Sequence, residues 1–331
     1  MRYNTFGIHM TNTCQISCDH CITDSSPTAH GDLNWDQIEA AIRTAASHVD
    51  GVCVTGGEAL IRRSLTLKTI RLTRELGLIS SLVTNGYWSR REAFARRTFD
   101  ELADAGLHKL AVSYDSYHER FLGAEVLDRL LSLGCGTGIT IKVQYCGDQQ
   151  DSAYETAAAL TRWYGVEFDT AEVLPFGRGS DLVPSGGGDV SDVPSGPCGV
   201  VVRPVLTPEG DLFTCCGPAR GSDSDSPLRL KLTTAADAGE ALKAGEVDPI
   251  LNVIHSHGPR RLFDYLTPDT RTRVAARLRD PSLCSLCRAI TDDRHAVAEL
   301  NHTLHAERIR LIALSAVLHD ARETQTRRPA S

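Results

Sequence analysis

From residue 5 to about residue 176 the chain alternates short apolar runs with longer amphipathic ones. The short runs predict strands at Phe6–Met10, Gly51–Thr55, Ile79–Thr84, Leu110–Ser113, Ile139–Tyr145 and Glu172–Leu174. The amphipathic stretches near Asp36–His48, Ser64–Leu76, Arg90–Ala105, Gly123–Leu133 and Ser152–Tyr164 predict helices between them. Leu65, Ile70, Leu72 and Leu76 fall close to helical spacing, and Gly77 follows as a natural stop. Strands alternating with helices of this length build parallel βα units. Six such units are two short of a closed eight-fold barrel. The expected fold class is therefore α/β: a partial (β/α)6 TIM-like barrel with its site at the C-terminal ends of the strands, and a smaller hairpin-plus-helix domain after it.

The segment from Gly177 to Pro197 is rich in Gly, Ser, Asp and Pro and reads as a linker. Beyond it, Val200–Leu206 and Asp211–Thr214 flank Pro208-Glu209-Gly210, a hairpin with a turn. A long helix is expected from about Ala296 to His319, with a polar, frayed end. The expected divisions are a barrel at 1–180, a linker at 181–197, a C-terminal domain at 198–295, and a helix and tail at 296–331.

Composition narrows the class. Hydrophobic residues at 41% and charged residues at 23% allow a real core, which excludes a disordered or fibrous chain. No run approaches the roughly 18 apolar residues of a membrane span, and no export signal is visible, so a cytoplasmic protein with no membrane partner is expected. A net charge of −7 without a basic stripe argues against nucleic acid and is compatible with a cationic small-molecule substrate. Eleven cysteines, an odd number, point to metal binding or chemistry instead of disulfides in a reducing compartment.

Three of them, Cys14, Cys18 and Cys21, lie on the loop after the first predicted strand. Thiolates so spaced can hold one corner of an iron–sulfur cluster and leave one iron open to a small molecule. A zinc knuckle with His20 as fourth ligand is the competing reading, disfavoured because His20 and Cys21 are adjacent and chelate awkwardly.

Cys14-x3-Cys18-x2-Cys21 after the first strand of a βα series resembles the radical S-adenosylmethionine (SAM) superfamily. Gly56-Gly57-Glu58 after the second strand is similar to the family's GGE segment, and the resemblance implies that Glu58 meets the SAM amino group. Thr84-Asn85-Gly86 ends the third strand and Ser113-Tyr114-Asp115 the fourth; both resemble positions that line the SAM pocket. His20 stands where the family often has Tyr or Phe, and an imidazole can still stack on adenine. The resemblance implies a SAM-binding 4Fe–4S cluster, a 5′-deoxyadenosyl radical that abstracts hydrogen from carbon, and an external electron donor of flavodoxin or ferredoxin type. Glu58 as a helix-start surface carboxylate is the structural alternative.

In the last part of the chain, Cys198, Cys215 or Cys216, Cys284 and Cys287 supply four potential ligands, with Cys284-Ser-Leu-Cys287 a two-residue knuckle. A four-cysteine zinc site is one reading. Gly210-x4-Cys215 resembles the SPASM and twitch modules of radical SAM enzymes, which implies one auxiliary 4Fe–4S cluster and favours Cys215 over Cys216. Leu174-Pro175-Phe176-Gly177-Arg178 resembles a segment of this subgroup, and Arg178 is a candidate for the SAM carboxylate or the substrate, or a solvated linker residue. His118 and Glu119 are candidates for the substrate site or for a helix-start surface. The lone Cys53, Cys135 and Cys146 read as small buried hydrophobes.

A cluster with all four positions filled by cysteine accepts or relays an electron. The resemblance to twitch-bearing aminocyclitol dehydrogenases therefore implies an oxidoreductase that converts a carbinol carbon of an amino sugar or aminocyclitol in antibiotic biosynthesis to a ketone. The alternative is a peptide-modifying enzyme (epimerase, crosslinker or thioether former); the short stretch before the first strand tilts the expectation towards a small substrate. A non-catalytic iron–sulfur or zinc protein is the third reading, and intact Cys14, Cys18, Cys21 and Glu58 argue against it.

Overall fold

The computed structural model describes residues 1–183, 187–215 and 217–307. Cys216 and the end of the expected 296–319 helix lie outside the described residues; residues 294–307 are helical. The chain packs as two compact units that interleave in sequence.

The first unit holds residues 1–186, 199–222 and 228–246. Its frame is six strands, β1 (Thr5–His9), β2 (Gly51–Thr55), β3 (Ile79–Thr84), β4 (Lys109–Ser113), β5 (Thr140–Cys146) and β6 (Glu167–Ala171). Each is parallel to the next. The helices α1 (Trp35–Ala45), α2 (Arg63–Glu75), α3 (Glu92–Ala105), α4 (Ser116–Glu119), α5 (Ala124–Gly134) and α6 (Ser152–Tyr164) intervene. The result is a mixed α/β fold with a parallel-dominated sheet. Period-two alternation sorts the strand residues: Phe6, Ile8, Val52, Val54, Leu82, Leu110, Val112, Ile141 and Val143 are buried in the core. The intervening Cys53, Ser81, Val83, Ala111, Ser113, Lys142, Gln144 and Cys146 are only half-buried on the opposite face. Asn34 starts α1 with a capping box, its side chain accepting from Gln37 N and the Gln37 side chain from Asn34 N.

The sixth strand is Glu167–Ala171, not Glu172–Leu174. Its residues are mostly exposed, so it lacks the apolar run that marks β1 to β5, and its register is set by pairing with β5 from Lys142↔Glu167 to Cys146↔Ala171.

The hairpin forms as β7 (Val205–Leu206) and β8 (Leu212–Phe213), antiparallel, followed by β9 (Arg229–Leu230). It belongs to the first unit with Cys215, whereas Cys198, Cys284 and Cys287 belong to the second. β7 runs parallel to β1, pairing Gly7↔Val205 and Ile8↔Leu206, and the sheet reads β6-β5-β4-β3-β2-β1-β7-β8-β9. A Cβ on Gly7 would sit 3.1 Å from Val205 Cγ2, so the bare glycine admits the new strand. The unit ends in α7 (Ala238–Val247).

The second unit holds residues 187–198, 223–227 and the chain from Val247 on. It is helical: α8 (Pro249–Ser256), α9 (Pro259–Tyr265), α10 (Pro268–Ala275) and α11 (Leu283–Thr291). Arg260 ties its first segment down by donating to the carbonyls of Val190, Ser191 and Val193 at 2.8–2.9 Å. Buried Asp293 caps the 294–307 helix through Ala296 N and pairs with Arg273 at 2.7 Å. Among the described residues no helix is long and apolar enough to cross a membrane.

Candidate active site

The three cysteines of the first cluster lie between β1 and α1, on a loop pinned from two sides. On one side are Gly56 and Gly57. Gly57 N donates to Thr11 O at 2.6 Å and Glu58 N to Thr13 O at 3.0 Å. On the other is Arg178. Its backbone N donates to Cys21 O, its Nε to Cys18 O at 2.9 Å and its guanidinium to Ser25 O at 2.8 Å. Arg178 therefore holds three carbonyls of the cysteine loop and is no solvated linker residue.

A cavity of about 340 Å³ opens beside the loop, within the range of small-molecule sites. Cys14, Cys18, Cys21 and His20 line it together with Gly56, Gly57, Thr84, Asn85, Ser113 and His118. Ten residues singled out by sequence thus share one wall. Burial pushes the Cys14 thiol up to about 12, so a metal centre's positive charge is what would ionise it. Three thiols on one loop beside such a cavity fit an iron–sulfur cluster with one open iron.

Glu58 is 1% exposed and is not among the cavity-lining residues. Its carboxylate accepts from Thr84 Oγ1 at 3.0 Å, Asn85 N at 2.9 Å and Leu60 N at 3.1 Å. Trp88 Nε1 donates in turn to Thr84 Oγ1 at 3.1 Å. Desolvation outweighs these donors and raises the Glu58 carboxyl to about 7. It is no surface carboxylate.

Asp115 is buried between two imidazoles, His118 Nδ1 at 2.8 Å and His20 Nε2 at 3.2 Å, and it caps α4 by accepting from Tyr117 N and His118 N. Burial alone would raise the Asp115 carboxyl, yet the two histidines hold it well below the usual carboxylate range. Burial works to lower His118, but Asp115 and the Cys18 sulfur hold it up, to about 10. His20 stacks on Tyr117 with ring centroids 4.5 Å apart and meets His118 edge-on. His20, Asp115 and His118 also form a set whose ligand atoms lie within 4.8 Å of one another. Glu119 is turned to Tyr114, whose hydroxyl donates to it at 2.6 Å, and is not among the cavity-lining residues.

Four further wall residues were not assigned to the site by sequence, although Cys146 stood out as a lone cysteine and Leu174 as part of the 174–178 segment. Cys146, Ala171, Glu172 and Leu174 line the cavity at the ends of β5 and β6. Cys146 is half-buried, not a core residue; its thiol, pushed up to about 12 by burial, donates to Glu172 O at 3.5 Å. Cys53 is also half-buried and Cys135 is exposed. Gln15 and Tyr117 were missed too, since each acts only by touching a predicted residue.

Of the later cysteines, Cys215 follows β8 in the first unit. Cys198 donates its backbone N–H to Ile254 O in the second unit, where Cys284 and Cys287 lie one turn apart on α11, partly exposed.

The Radical SAM superfamily model matches residues 8–134, the stretch from β1 to the end of α5 that carries the three cysteines, Glu58, Asn85 and Asp115. Over that stretch the chain is similar to the radical SAM superfamily. The putative peptide biosynthesis protein YydG of Bacillus subtilis is 25% identical over 132 residues, 39% of this chain and 41% of YydG; the match thus spans less than half of that relative. The GTP 3′,8-cyclase of Xanthomonas axonopodis pv. citri is 28% identical over 279 residues, 65% of this chain and 80% of the cyclase. Among solved structures, Streptococcus suis SuiB bound to its precursor peptide SuiA superposes with a TM-score of 0.56 at 12% identity, covering 77% of this chain and 67% of SuiB. SuiB bound to S-adenosylmethionine gives 0.53. These likenesses establish the fold.

Proposed function

We propose that the protein is a radical SAM enzyme that modifies a peptide. The observation that carries the enzyme reading is the single cavity wall shared by Cys14, Cys18, Cys21, Gly57, Thr84, Asn85 and Ser113. The chemistry supplied there, when a 4Fe–4S cluster and SAM are bound, is one-electron cleavage of a carbon–sulfur bond and hydrogen abstraction from a substrate carbon. The chain's own residues hold and orient. Cys14, Cys18 and Cys21 would ligate the cluster, with Gly56-Gly57 and Arg178 fixing their loop. Glu58, a carboxyl that burial keeps partly protonated, is suited to an ammonium that would ionise it. His20, held by Asp115 and backed by Tyr117, presents a flat ring to the cavity.

The peptide reading is supported by the YydG match, by the SuiB fold, and by an exposed β6 that ends at the cavity, where an extended chain can lie. The second reading is the aminocyclitol or amino-sugar dehydrogenase. It is favoured by the cyclase relatives, named for a small molecule, GTP, and by Cys198, Cys215, Cys284 and Cys287 as ligands of an auxiliary cluster that takes the second electron. An external one-electron donor of flavodoxin or ferredoxin type serves either reading, and a cytoplasmic setting suits both.

The test is anaerobic reconstitution followed by SAM and reductant. Formation of 5′-deoxyadenosine that disappears in a Cys14→Ala/Cys18→Ala/Cys21→Ala variant is expected, and its persistence would overturn the enzyme reading. Mass spectrometry of added synthetic peptides in heavy water, beside a panel of amino sugars assayed for ketone, separates the two substrates.

A further inference from the structure

The side-chain amide of Asn85 is locked in one orientation. Gln15 Nε2 donates to Asn85 Oδ1 at 2.8 Å, and the backbone N–H of Tyr87 donates to the same oxygen at 3.1 Å. Two donors identify that end as the carbonyl, so the other end is the NH2 group. The NH2 group is directed at Cys14 Sγ, 3.6 Å away. Turning the amide over would set NH2 against two N–H donors and lose both contacts. Asn85 is 9% exposed and its own N–H is held by Glu58, so the contact to sulfur lies away from water, where hydrogen bonds are electrostatically stronger.

We propose that Asn85 tunes the reduction potential of the cluster held by Cys14, Cys18 and Cys21, and that Gln15 is the prop that aims it. The proposal rests on the reading of these cysteines as cluster ligands. When one electron enters the cluster from an external reductant, negative charge grows on the ligating sulfurs. An N–H donor at Cys14 Sγ favours that more negative state, so it raises the potential. The resemblance to the family assigns Asn85 to the SAM pocket; the locked amide gives it a partner in the cluster's own ligand shell. Gln15, a polar residue beside a ligand cysteine, acquires a task that spacing alone does not reveal.

The test is potentiometric titration with dithionite, followed by electron paramagnetic resonance, on the full-length reconstituted protein. The relevant signal is the one that changes when SAM is added. Asn85→Leu removes the donor without adding charge, and Gln15→Leu keeps the donor but frees it to turn. Both are expected to shift the midpoint potential in the negative direction, Gln15→Leu by less, with iron content retained in both and SAM affinity retained in Gln15→Leu. Unchanged potentials in both variants overturn the proposal. A loss of SAM affinity in Asn85→Leu at unchanged potential overturns it too, and assigns Asn85 to SAM. Should Asn85→Leu fail to fold, the sign of the Gln15→Leu shift decides. Wild-type protein that binds no iron and gives no signal defeats the cluster reading itself, before any variant is compared.

Discussion

Gly57 lies directly against the Thr13 carbonyl: a Cβ built on Gly57 would stand 2.4 Å from that oxygen and 2.8 Å from Asn12 O. Both obstacles are backbone, so the loop itself must yield. Gly57→Ala is expected to displace the start of the cysteine loop at a cost of about 1–3 kcal/mol and to lower iron incorporation severalfold while far-UV circular dichroism stays near wild type. Iron analysis after reconstitution checks it; full iron loading would show that the approach can relax.

Glu58 gives stability a pH dependence of definite sign. Its carboxyl rises from an ordinary 4.5 to about 7 on burial. Between those values the folded chain holds a proton that the unfolded chain has released. The protonated form's contribution is therefore complete below about pH 4.5 and is lost as pH rises through 7, on the order of 3 kcal/mol. Urea unfolding without SAM should show this decline in the wild type and not in Glu58→Gln. The same variant is expected to bind SAM roughly ten- to a hundredfold more weakly, by loss of a charge-assisted contact; calorimetry measures it.

Arg178→Leu removes two side-chain bonds to loop carbonyls, Cys18 O and Ser25 O. Cluster loss to a chelator should be several times faster than in wild type, while SAM affinity of the cluster-loaded fraction is unchanged. A fall in that affinity with normal cluster retention would instead return Arg178 to the ligand.

The auxiliary-cluster proposal predicts about eight irons per chain for two 4Fe–4S clusters. Cys284→Ser/Cys287→Ser should fall to about four and still cleave SAM. In the dehydrogenase reading it should also form no ketone. Wild-type protein with about four irons and one zinc would make that site structural.

What the sequence revealed depended on how local the cause was. Five of the six barrel strands and the cysteine loop were legible because apolar runs, turn residues and ligand spacing are written in contiguous residues. β6 escaped by a few residues because an exposed strand carries no apolar run, only a register imposed by β5. The docking of Val205–Leu206 on β1 is long-range, with Gly7 as its one faint sign. Arg178 was noticed, but not its hold on the cysteine loop, since those partners are loop carbonyls from 150 residues and more away, which side-chain chemistry alone cannot nominate. Gln15 and Asn85 stand 70 positions apart, and only the fold makes them neighbours.

A ring of strands closes only when its last member bonds to its first. Here the free rim of β1 is already spent on β7, so among the described residues β6 has no counterpart on its outer side and ends the sheet. In the peptide reading, a molecule much longer than the cavity would present one residue to the reacting centre and could lie extended along the unpaired edge of β6.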